Sequence, residues 1–421
     1  MPDKKPTLPA IVEHTEELVF NSCYAPFDLS GLLQSSENRS RIRKLPATQL
    51  FYSLDSLEPE EMQLLLPHIT GEQWTTFLDL DLWEKDELNT NALIHWESFT
   101  LETEDAVARK LLRATDPELL QLLWKRELQI IARVEEDEFE TEPPVDRSTF
   151  ITPDNNYLVV LPEDPEKSRL IHSFITRLYQ LDPDYARLSL EASRFALSLE
   201  LEEDAYQNTR RRIEDYGFQD YFNAVEIYSP RSADSLLPEK DNPLPGASKE
   251  LPVPLDHGRH SSGFVFLEAL AAVSSRDDID PLLQEMFFVC NKVISADRGR
   301  PGDTEAVRAG ISKAINGISL GLDTWSGGDL NRAIEGITSH HLTSFFQIGY
   351  DSLLQVKRKA DSAPEQDAGS LGEAVIENLR SPYPRYTESQ EKEGKISFTA
   401  RYFRNASEIE ETTKMLEQLK A

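Results

Sequence analysis

A Gly-x-Ser-x-Gly pattern at residues 317–321 is the first stretch whose residue types and spacing could do chemistry. In hydrolases this pattern holds a nucleophilic serine on a sharp turn between a strand and a helix. Here Val307, Ile311 and Ile315 precede Ser319 at helical spacing, and no strand pattern comes before them. We therefore expect Ser319 to lie inside an amphipathic helix, and the sequence assigns no catalytic residue.

A polar loop at residues 297–303 carries Arg298 and Arg300 just before a predicted helix. Two arginines beside a helix N-terminus can receive an anion, because the free N–H groups and the helix dipole favour negative charge there. The alternative is a connector in which Asp303 caps the helix. An enzyme of unrecognised class would use this loop together with His340 or His341.

His341 follows Ile337 on one helical stripe, which is typical of a histidine at the rim of a core, and it remains a binding candidate. Four imidazoles, those of His257, His260, His340 and His341, could in principle hold a transition metal. The first pair lies in a proline-rich stretch that would not fix its geometry, so we predict no metal site. The chain has no P-loop and no G-x-G-x-x-G pattern, and we predict no cofactor.

Four of the five tryptophans lie in one acidic stretch, at Trp74, Trp83, Trp96 and Trp124. Buried indoles are expected in a stack of helices, yet tryptophan is also enriched among the residues that dominate protein–protein binding. Both alternatives stay open. Trp74, Trp83 and Trp96 therefore join Arg298, Arg300 and His341 as candidate binding residues.

The elements that position these residues are predicted to be short amphipathic helices. Helices begin near Pro46 and Pro59, and a third begins at Thr70, which has capping-box spacing with Gln73. These starts are roughly 12–13 residues apart, and helices that short depend on their neighbours for stability. Further helices are expected at about 92–99, 105–112 and 117–136. The predicted fold is all-α, with a short-helix superhelical stack followed by further helical domains.

One minor β-hairpin is expected near residues 150–161, where "FIT" and "YLVVL" flank the turn residues "PDNN". Elsewhere Asp-Pro pairs begin helices at Pro117, Pro165, Pro183 and Pro281. The helix over about 304–322 carries glycines that would let another helix approach closely. A final helix is expected near 407–420.

Composition shifts divide the chain into six segments. We predict an N-terminal extension (1–44), an acidic short-helix stack (45–146), a hairpin with helices (147–228), a linker (229–262), a helical bundle (263–360), and a linker with C-terminal helices (361–421). The linker at 229–262 contains six prolines and lacks a hydrophobic period. We expect it to be the internal segment most sensitive to proteases.

Charge is the outlying feature of the composition. The chain has 74 acidic and 44 basic residues, a formal net charge of −30. This argues against nucleic acid and against an anionic membrane surface, since both need a basic face. Residues 45–146 hold 24 acidic and 7 basic residues, whereas 290–360 are slightly basic. The first stretch is either an acidic docking face or a solvated exterior.

The cysteines and the hydropathy of the sequence indicate the cellular compartment of the protein. Cys23 and Cys290 do not form a metal-binding pattern, and Cys290 lies in an apolar helix where it should be a buried small hydrophobe. The N-terminus lacks the apolar core of a signal peptide, and no apolar run approaches the ~20 residues of a membrane-spanning helix. We expect a cytoplasmic protein without membrane insertion.

Two resemblances rest on particular stretches. "LPATQLFYSLDSLEPEEMQLLLPHITGEQWTTFLDLDLW" resembles the helical N-terminal domain of MgtE-type magnesium transporters. With "FITPDNNYLVVL", "GFQDYFNAVEIYSP" and "LDTWSGGDLNRAIEGITSHHL", the chain is similar to a bacterial family classed only as a domain of unknown function. The second resemblance covers most of residues 45–359 and implies no activity, while the first implies a helical shape.

The sequence favours a non-catalytic scaffold or adaptor that binds another protein through helical surfaces. One alternative is a divalent-cation-responsive regulatory protein that uses Glu60, Glu61, Asp79 and Asp81. The other is the enzyme that uses the 297–303 loop. We expect a protein partner and no nucleic acid, and the oligomeric state stays open.

Overall fold

The structure is a computed structural model that describes residues 24–25, 27–84, 86–135, 138–236, 264–273, 276–363, 369–392 and 395–419. It divides into two compact units. The N-terminal unit is Ala25–Ile213, and the C-terminal unit is Glu214–Ala421 together with Tyr24. The predicted pair His257 and His260, and most of the predicted linker at 229–262, lie outside the described residues.

The N-terminal unit is mainly helical, as the sequence predicts. Its described helices are α1 (Leu29–Gln34), α2 (Ser36–Ile42), α3 (Ala47–Tyr52), α4 (Pro59–Leu65), α5 (Gly71–Asp81), α6 (Thr90–Leu101), α7 (Asp105–Ala114), α8 (Pro117–Glu127), α9 (Pro165–Leu181), α10 (Pro183–Phe195) and α11 (Ser198–Glu214). Two short antiparallel strands of two residues each, β1 (Trp83–Glu84) and β2 (Glu87–Leu88), join α5 to α6.

The start of α5 has the predicted capping box. The Gln73 N–H donates to Thr70 Oγ1 at 3.0 Å, and the Thr70 N–H donates to Gln73 Oε1 at 2.8 Å. These two bonds satisfy backbone donors that have no partner within the helix. Ile69 and Trp74 are both buried, so the cap fixes the point at which the chain enters the core.

A four-stranded sheet interrupts the helices of this unit. The predicted hairpin is confirmed as β5 (Thr149–Ile151) and β6 (Tyr157–Val160), but the sheet also contains β3 (Gln129–Glu135) and β4 (Glu138–Phe139), in the order β4-β3-β6-β5. The helix predicted over 117–136 is therefore wrong beyond Glu127. Antiparallel pairing between β3 and β6 joins residues on both sides of the boundary predicted at 146.

The C-terminal unit is also built mainly of helices. They are α12 (Tyr221–Ala224), α13 (Val265–Ala272), α14 (Arg276–Ala296), α15 (Thr304–Ser326), α16 (Leu330–Ser339), α17 (Leu342–Asp361), α18 (Gly369–Arg380) and α19 (Ala406–Gln418). The strands β7 (Tyr386–Lys392) and β8 (Lys395–Arg401) form an antiparallel hairpin that the sequence reading did not predict. Pro281 lies inside α14 rather than at its start.

The close approach predicted for the glycine-bearing helix is confirmed between α15 and α17. A Cβ built on Gly321 would lie 1.8 Å from the Phe345 carbonyl oxygen, and one on Gly349 would lie 2.3 Å from the Gly317 carbonyl oxygen. Only glycine allows backbones to meet at this distance. The contact fixes where α17 begins, and the residues at that end line the cavity described below.

Helices dominate both units, and the described strands are short, so the all-α prediction holds apart from the sheets. Within the described residues, no helix combines the length and the apolar character that crossing a membrane requires.

Candidate functional site

The tryptophans considered as binding residues are in the core of the N-terminal unit. Trp74, Trp83 and Trp96 are at most 6% exposed, and Trp124 is fully buried. Each indole N–H donates to a side-chain oxygen of the same unit at 2.8–3.1 Å; the acceptors are Thr115, Thr209, Asp81 and Ser189 respectively. These side chains stabilise the unit and present no surface to a partner.

Three of the four carboxylates considered for cation sensing, Glu61, Asp79 and Asp81, are engaged by donors of the same unit, whereas Glu60 is exposed. Arg212 donates to both oxygens of Asp79 at 2.6 and 2.7 Å, and to Asp116 Oδ2 at 2.6 Å. Burial opposes the charge of Arg212, but hydrogen bonds and charges from the two aspartates outweigh it and raise the pKa of the guanidinium. Asp81 accepts from Trp96, and Glu61 completes a capping box at Glu58.

Glu61 also accepts a hydrogen bond from the Ser30 hydroxyl. Across the part of the chain that the structure describes, no cluster of three or more His, Cys, Asp or Glu side chains is arranged to hold a metal ion.

The side chains of the 297–303 loop contact other residues of the C-terminal unit. The Arg298 guanidinium lies 4.3 Å from the centroid of the Tyr221 ring, and Asp297 accepts from the Tyr228 hydroxyl at 2.7 Å and from Lys313 at 2.5 Å. Asp303 caps α15 by accepting from the Glu305 and Ala306 N–H groups. Asp303 therefore caps the helix, as the connector alternative expects. Arg298 packs on the Tyr221 ring.

A cavity of about 390 Å³ in the C-terminal unit is the main candidate site. It lies among the segment at 219–231, helix α14 and the first turns of α17. Its described lining residues are mostly polar: Gln219, Asn223, Glu226, Arg231, Phe288, Lys292, His341, Thr343, Ser344 and Gln347. Of the candidate residues from the sequence, His341 lines this cavity, and neither Arg298 nor Arg300 is among its described lining residues.

Lys292 supplies an uncompensated positive charge to this cavity. Among the described residues, its ammonium group has no hydrogen-bond acceptor and no carboxylate within ion-pair distance; its one named contact is the Phe288 ring, with the centroid 5.9 Å away. Burial lowers the pKa of Lys292, and the charge of Glu226 opposes that shift only in part. The lining thus contains a lysine whose desolvation is offset only in part by the charge of Glu226.

His341 is oriented by a buried carboxylate. Its Nδ1 lies 2.8 Å from Glu285 Oε1, which also accepts from the Leu342 N–H at 2.8 Å. Because a carboxylate oxygen accepts a hydrogen bond, the proton is assigned to Nδ1, and Nε2 is the ring nitrogen that does not bond to Glu285. A second cation, Arg231, donates to the buried Ser344 hydroxyl, so the lining contains several preset donors.

Two polar atoms at the cavity are buried without a hydrogen-bond partner among the described residues. They are Gln219 Oε1 and Thr343 Oγ1. An unsatisfied buried polar atom costs about 1–3 kcal/mol, and such groups usually have a partner. Neither atom has accessible surface, so a bound molecule reaches them only after a side-chain rotation. The lining itself offers positive charge with several amide and hydroxyl side chains, which together suit a small polar molecule.

Sequence reasoning missed most of this cavity. The one local signal was the polar pair Asn291 and Lys292 inside the apolar run of α14. Asn291 is structural, since it donates to the Tyr216 carbonyl and accepts from the Tyr24 hydroxyl. Gln219 and Thr343 had no signal of their own, because their role depends on a contact between segments more than a hundred residues apart.

A second surface lies on the N-terminal unit, where large apolar side chains are exposed at the corner between α10 and α11. Phe195 is 73% exposed and Leu199 is 80% exposed, with Leu188 and Leu197 above 60%. We call these four residues the apolar ridge. The Arg194 guanidinium lies 5.2 Å from the centroid of the Phe195 ring and is itself bonded to Glu140 and Glu191.

Comparisons with known proteins give a family and no activity. A family model described as "Family of unknown function (DUF6178)" matches residues 27–421. No curated protein and no solved structure matches the chain.

Proposed function

We propose that this chain, which belongs to the family of unknown function DUF6178, is a non-catalytic scaffold or adaptor that binds another protein. The observation that carries the proposal is the apolar ridge of Leu188, Phe195, Leu197 and Leu199. Single exposed apolar residues are ordinary, but a contiguous group marks an interaction surface.

The ridge residues are close enough to act as one surface. Leu188 and Phe195 are seven residues apart on α10 and therefore share a face of the helix. Phe195, Leu197 and Leu199 lie within four residues, so their Cα atoms are at most about 14 Å apart. The braced Arg194 supports the Phe195 ring, which reduces the side-chain freedom that binding would remove.

The charge near the ridge indicates the kind of partner. The first turns of α11 carry Glu200, Glu202, Glu203 and Asp204. A partner with an apolar groove and a basic rim would match this arrangement, and its affinity would fall as salt rises. We propose a cytoplasmic location, supported by the two unclustered cysteines of the sequence.

Affinity purification from the native host tests the proposal. The bait is the full chain as wild type, as the double variant Phe195→Ser/Leu199→Ser, and as Leu64→Ser. Leu64 is a matched control because it is an exposed leucine of the same unit, 49% exposed on α4 and outside the ridge. We expect a stoichiometric protein partner with the wild type and with Leu64→Ser, and loss of that partner with the ridge variant.

Retention of the same partner by the ridge variant would contradict the proposal. So would a wild-type chain that yields no stoichiometric partner at low and moderate salt. Circular dichroism and thermal unfolding of all three baits establish that loss of the partner does not come from unfolding, since surface substitutions usually change stability by no more than about 0.5 kcal/mol.

A further inference from the structure

We propose that the C-terminal cavity binds a small oxyanion that also carries hydroxyl or amino groups, such as a hydroxylated organic acid or a sugar phosphate. This site is independent of the apolar ridge, because the cavity belongs to the C-terminal unit and the ridge to the N-terminal unit. Either proposal can therefore fail without the other.

The size of the cavity sets the size of the ligand. About 390 Å³ corresponds to roughly a dozen water molecules at ~30 Å³ each. A molecule of about ten to fifteen non-hydrogen atoms fills that volume. Ligand cavities in proteins span about 300–1,000 Å³, so this one lies in the ordinary range for small molecules.

The charge of the lining residues determines the sign of the ligand's charge. Arg231 and Lys292 are the arginine and the lysine among the described lining residues, and Glu226 is the one carboxylate among them. Arg231 already donates to Ser344, whereas Lys292 has no anionic partner within ion-pair distance in the described chain. A carboxylate or phosphate beside Lys292 would offset the cost of burying the ammonium group.

The amide and hydroxyl side chains of the lining set the rest of the ligand's chemistry. The side-chain amides of Gln219, Asn223 and Gln347 carry acceptor oxygens that pair with donors of a ligand. The Thr343 hydroxyl, which has no partner among the described residues, can donate or accept once its side chain rotates toward the cavity. A simple fatty acid has no donor to offer Gln219. A neutral polyol has donors but no charge for Lys292. The combination selects an anion that carries hydroxyl or amino groups.

Isothermal titration calorimetry on the full chain, with four probes, tests the proposal. Gluconate and glucose 6-phosphate carry both features, on a carboxylate and a phosphate respectively. Sorbitol carries hydroxyls alone, and hexanoate carries a carboxylate alone. We expect at least one of the first two to bind at millimolar concentration or below, and the other two to bind at least tenfold more weakly. Which of the first pair binds identifies the anionic group.

Two variants locate that binding in the cavity. Lys292→Met removes the charge and should weaken binding about 10- to 100-fold, the usual effect of a charge-assisted hydrogen bond. Lys414→Met makes the same change at an exposed position of α19 and should leave binding unchanged. Thr343→Val removes the unpartnered hydroxyl at nearly constant shape. It should weaken binding without lowering the melting temperature of the free chain.

The behaviour of Thr343→Val separates a ligand site from a structural role, because a hydroxyl that served only folding would lower the melting temperature when removed. Absence of binding by both anions at millimolar concentration would overturn the proposal. Equal binding of sorbitol, or binding that survives both Lys292→Met and Thr343→Val, would also overturn it.

Discussion

Glu97 illustrates how a single buried residue shapes the stability of the N-terminal unit. It is 1% exposed, its Oε1 accepts from the Thr115 hydroxyl at 3.0 Å, and its Oε2 has no hydrogen-bond partner among the described residues. Burial raises the pKa of this carboxyl to about 7, and the Thr115 hydrogen bond offsets the shift only in part. Glu97 therefore carries its proton in the fold at pH values where an unfolded chain has lost it.

The sign of the pH effect follows from that shift. Between the ordinary pKa near 4.5 and the raised value near 7, the folded chain binds more protons than the unfolded chain. Stability contributed by Glu97 is then lost as pH rises through this range, by about 3 kcal/mol in total. The loss levels off above pH 7.

Glu97→Gln should remove this pH dependence. We expect the free energy of unfolding of the variant to exceed that of the wild type increasingly from pH 5 to pH 8. Urea unfolding followed by tryptophan fluorescence measures it, because four of the five tryptophans lie in this unit. Glu102→Gln, at an exposed position beside the same helix, is the control. Parallel pH profiles for wild type and Glu97→Gln would contradict the expectation.

Arg212 and Asp79 give a second prediction at this scale. The Asp79 side chain is 2% exposed, and Arg212 donates to both its oxygens. Arg212→Met would leave a buried carboxylate without its cation, which costs about 3–5 kcal/mol. The neighbouring Arg211 is exposed, so Arg211→Met should be nearly neutral. Equal unfolding midpoints in urea for the two variants would show that the ion pair does not stabilise the unit.

The helices were predictable where the signal was local, and they were missed where it was not. The Thr70 capping box and the starts at Pro165 and Pro183 need only neighbouring residues, and all are confirmed. The segment that forms strand β3 was wrongly predicted as helix, because Leu128 and Ile131 continue the helical spacing of α8. Its extended conformation depends on pairing with β6, about 28 residues later, which no local period reports.

The cavity could not be predicted for the same reason. Of its residues the sequence singled out His341 alone, on a predicted helical stripe with Ile337. That stripe is wrong, because α16 ends at Ser339 and His341 is the N-cap of α17. Lys292, Gln219 and Thr343 come from three separate segments. That they lack partners among the described residues is a property of the packed unit, and residue types alone do not reveal it.

The contact between α15 and α17 gives a prediction at the scale of elements. Gly321→Ala would place a Cβ 1.8 Å from the Phe345 carbonyl oxygen, so the two helices must separate. Overpacking of this kind costs about 1–3 kcal/mol or more. Gly71→Ala, whose new Cβ meets the Ala114 Cβ at 3.2 Å, is a milder change at the start of α5. Calorimetry should show a lower melting temperature for Gly321→Ala, and an unchanged value would contradict the close approach.

At the scale of the whole molecule, the net charge of −30 makes ionic strength a determinant of stability. Cations screen the repulsion among carboxylates within a Debye length of about 10 Å at 0.1 M salt. Because Asp79 and Asp81 are engaged by Arg212 and Trp96, we expect the melting temperature to rise equally with Na⁺ and Mg²⁺ at matched ionic strength. A clear excess effect of Mg²⁺, abolished by Asp81→Asn, would favour the cation-responsive alternative.

The two units carry different candidate surfaces, a ridge for a protein and a cavity for a small molecule. An adaptor with both would bind its partner through the N-terminal unit and a small oxyanion through the C-terminal unit. The protein-binding role is the central claim, and it depends on the ridge being the surface that meets the partner.

Site-specific photo-cross-linking in the native host tests that claim most directly. A photoreactive phenylalanine analogue is placed at Phe195 in one chain and at Leu64 in another, so both probes are exposed on the N-terminal unit. We predict one discrete cross-linked product with a different protein from position 195, and none from position 64. Cross-links of equal yield from both positions, products containing only a second copy of the chain, or no product from position 195 would contradict the claim.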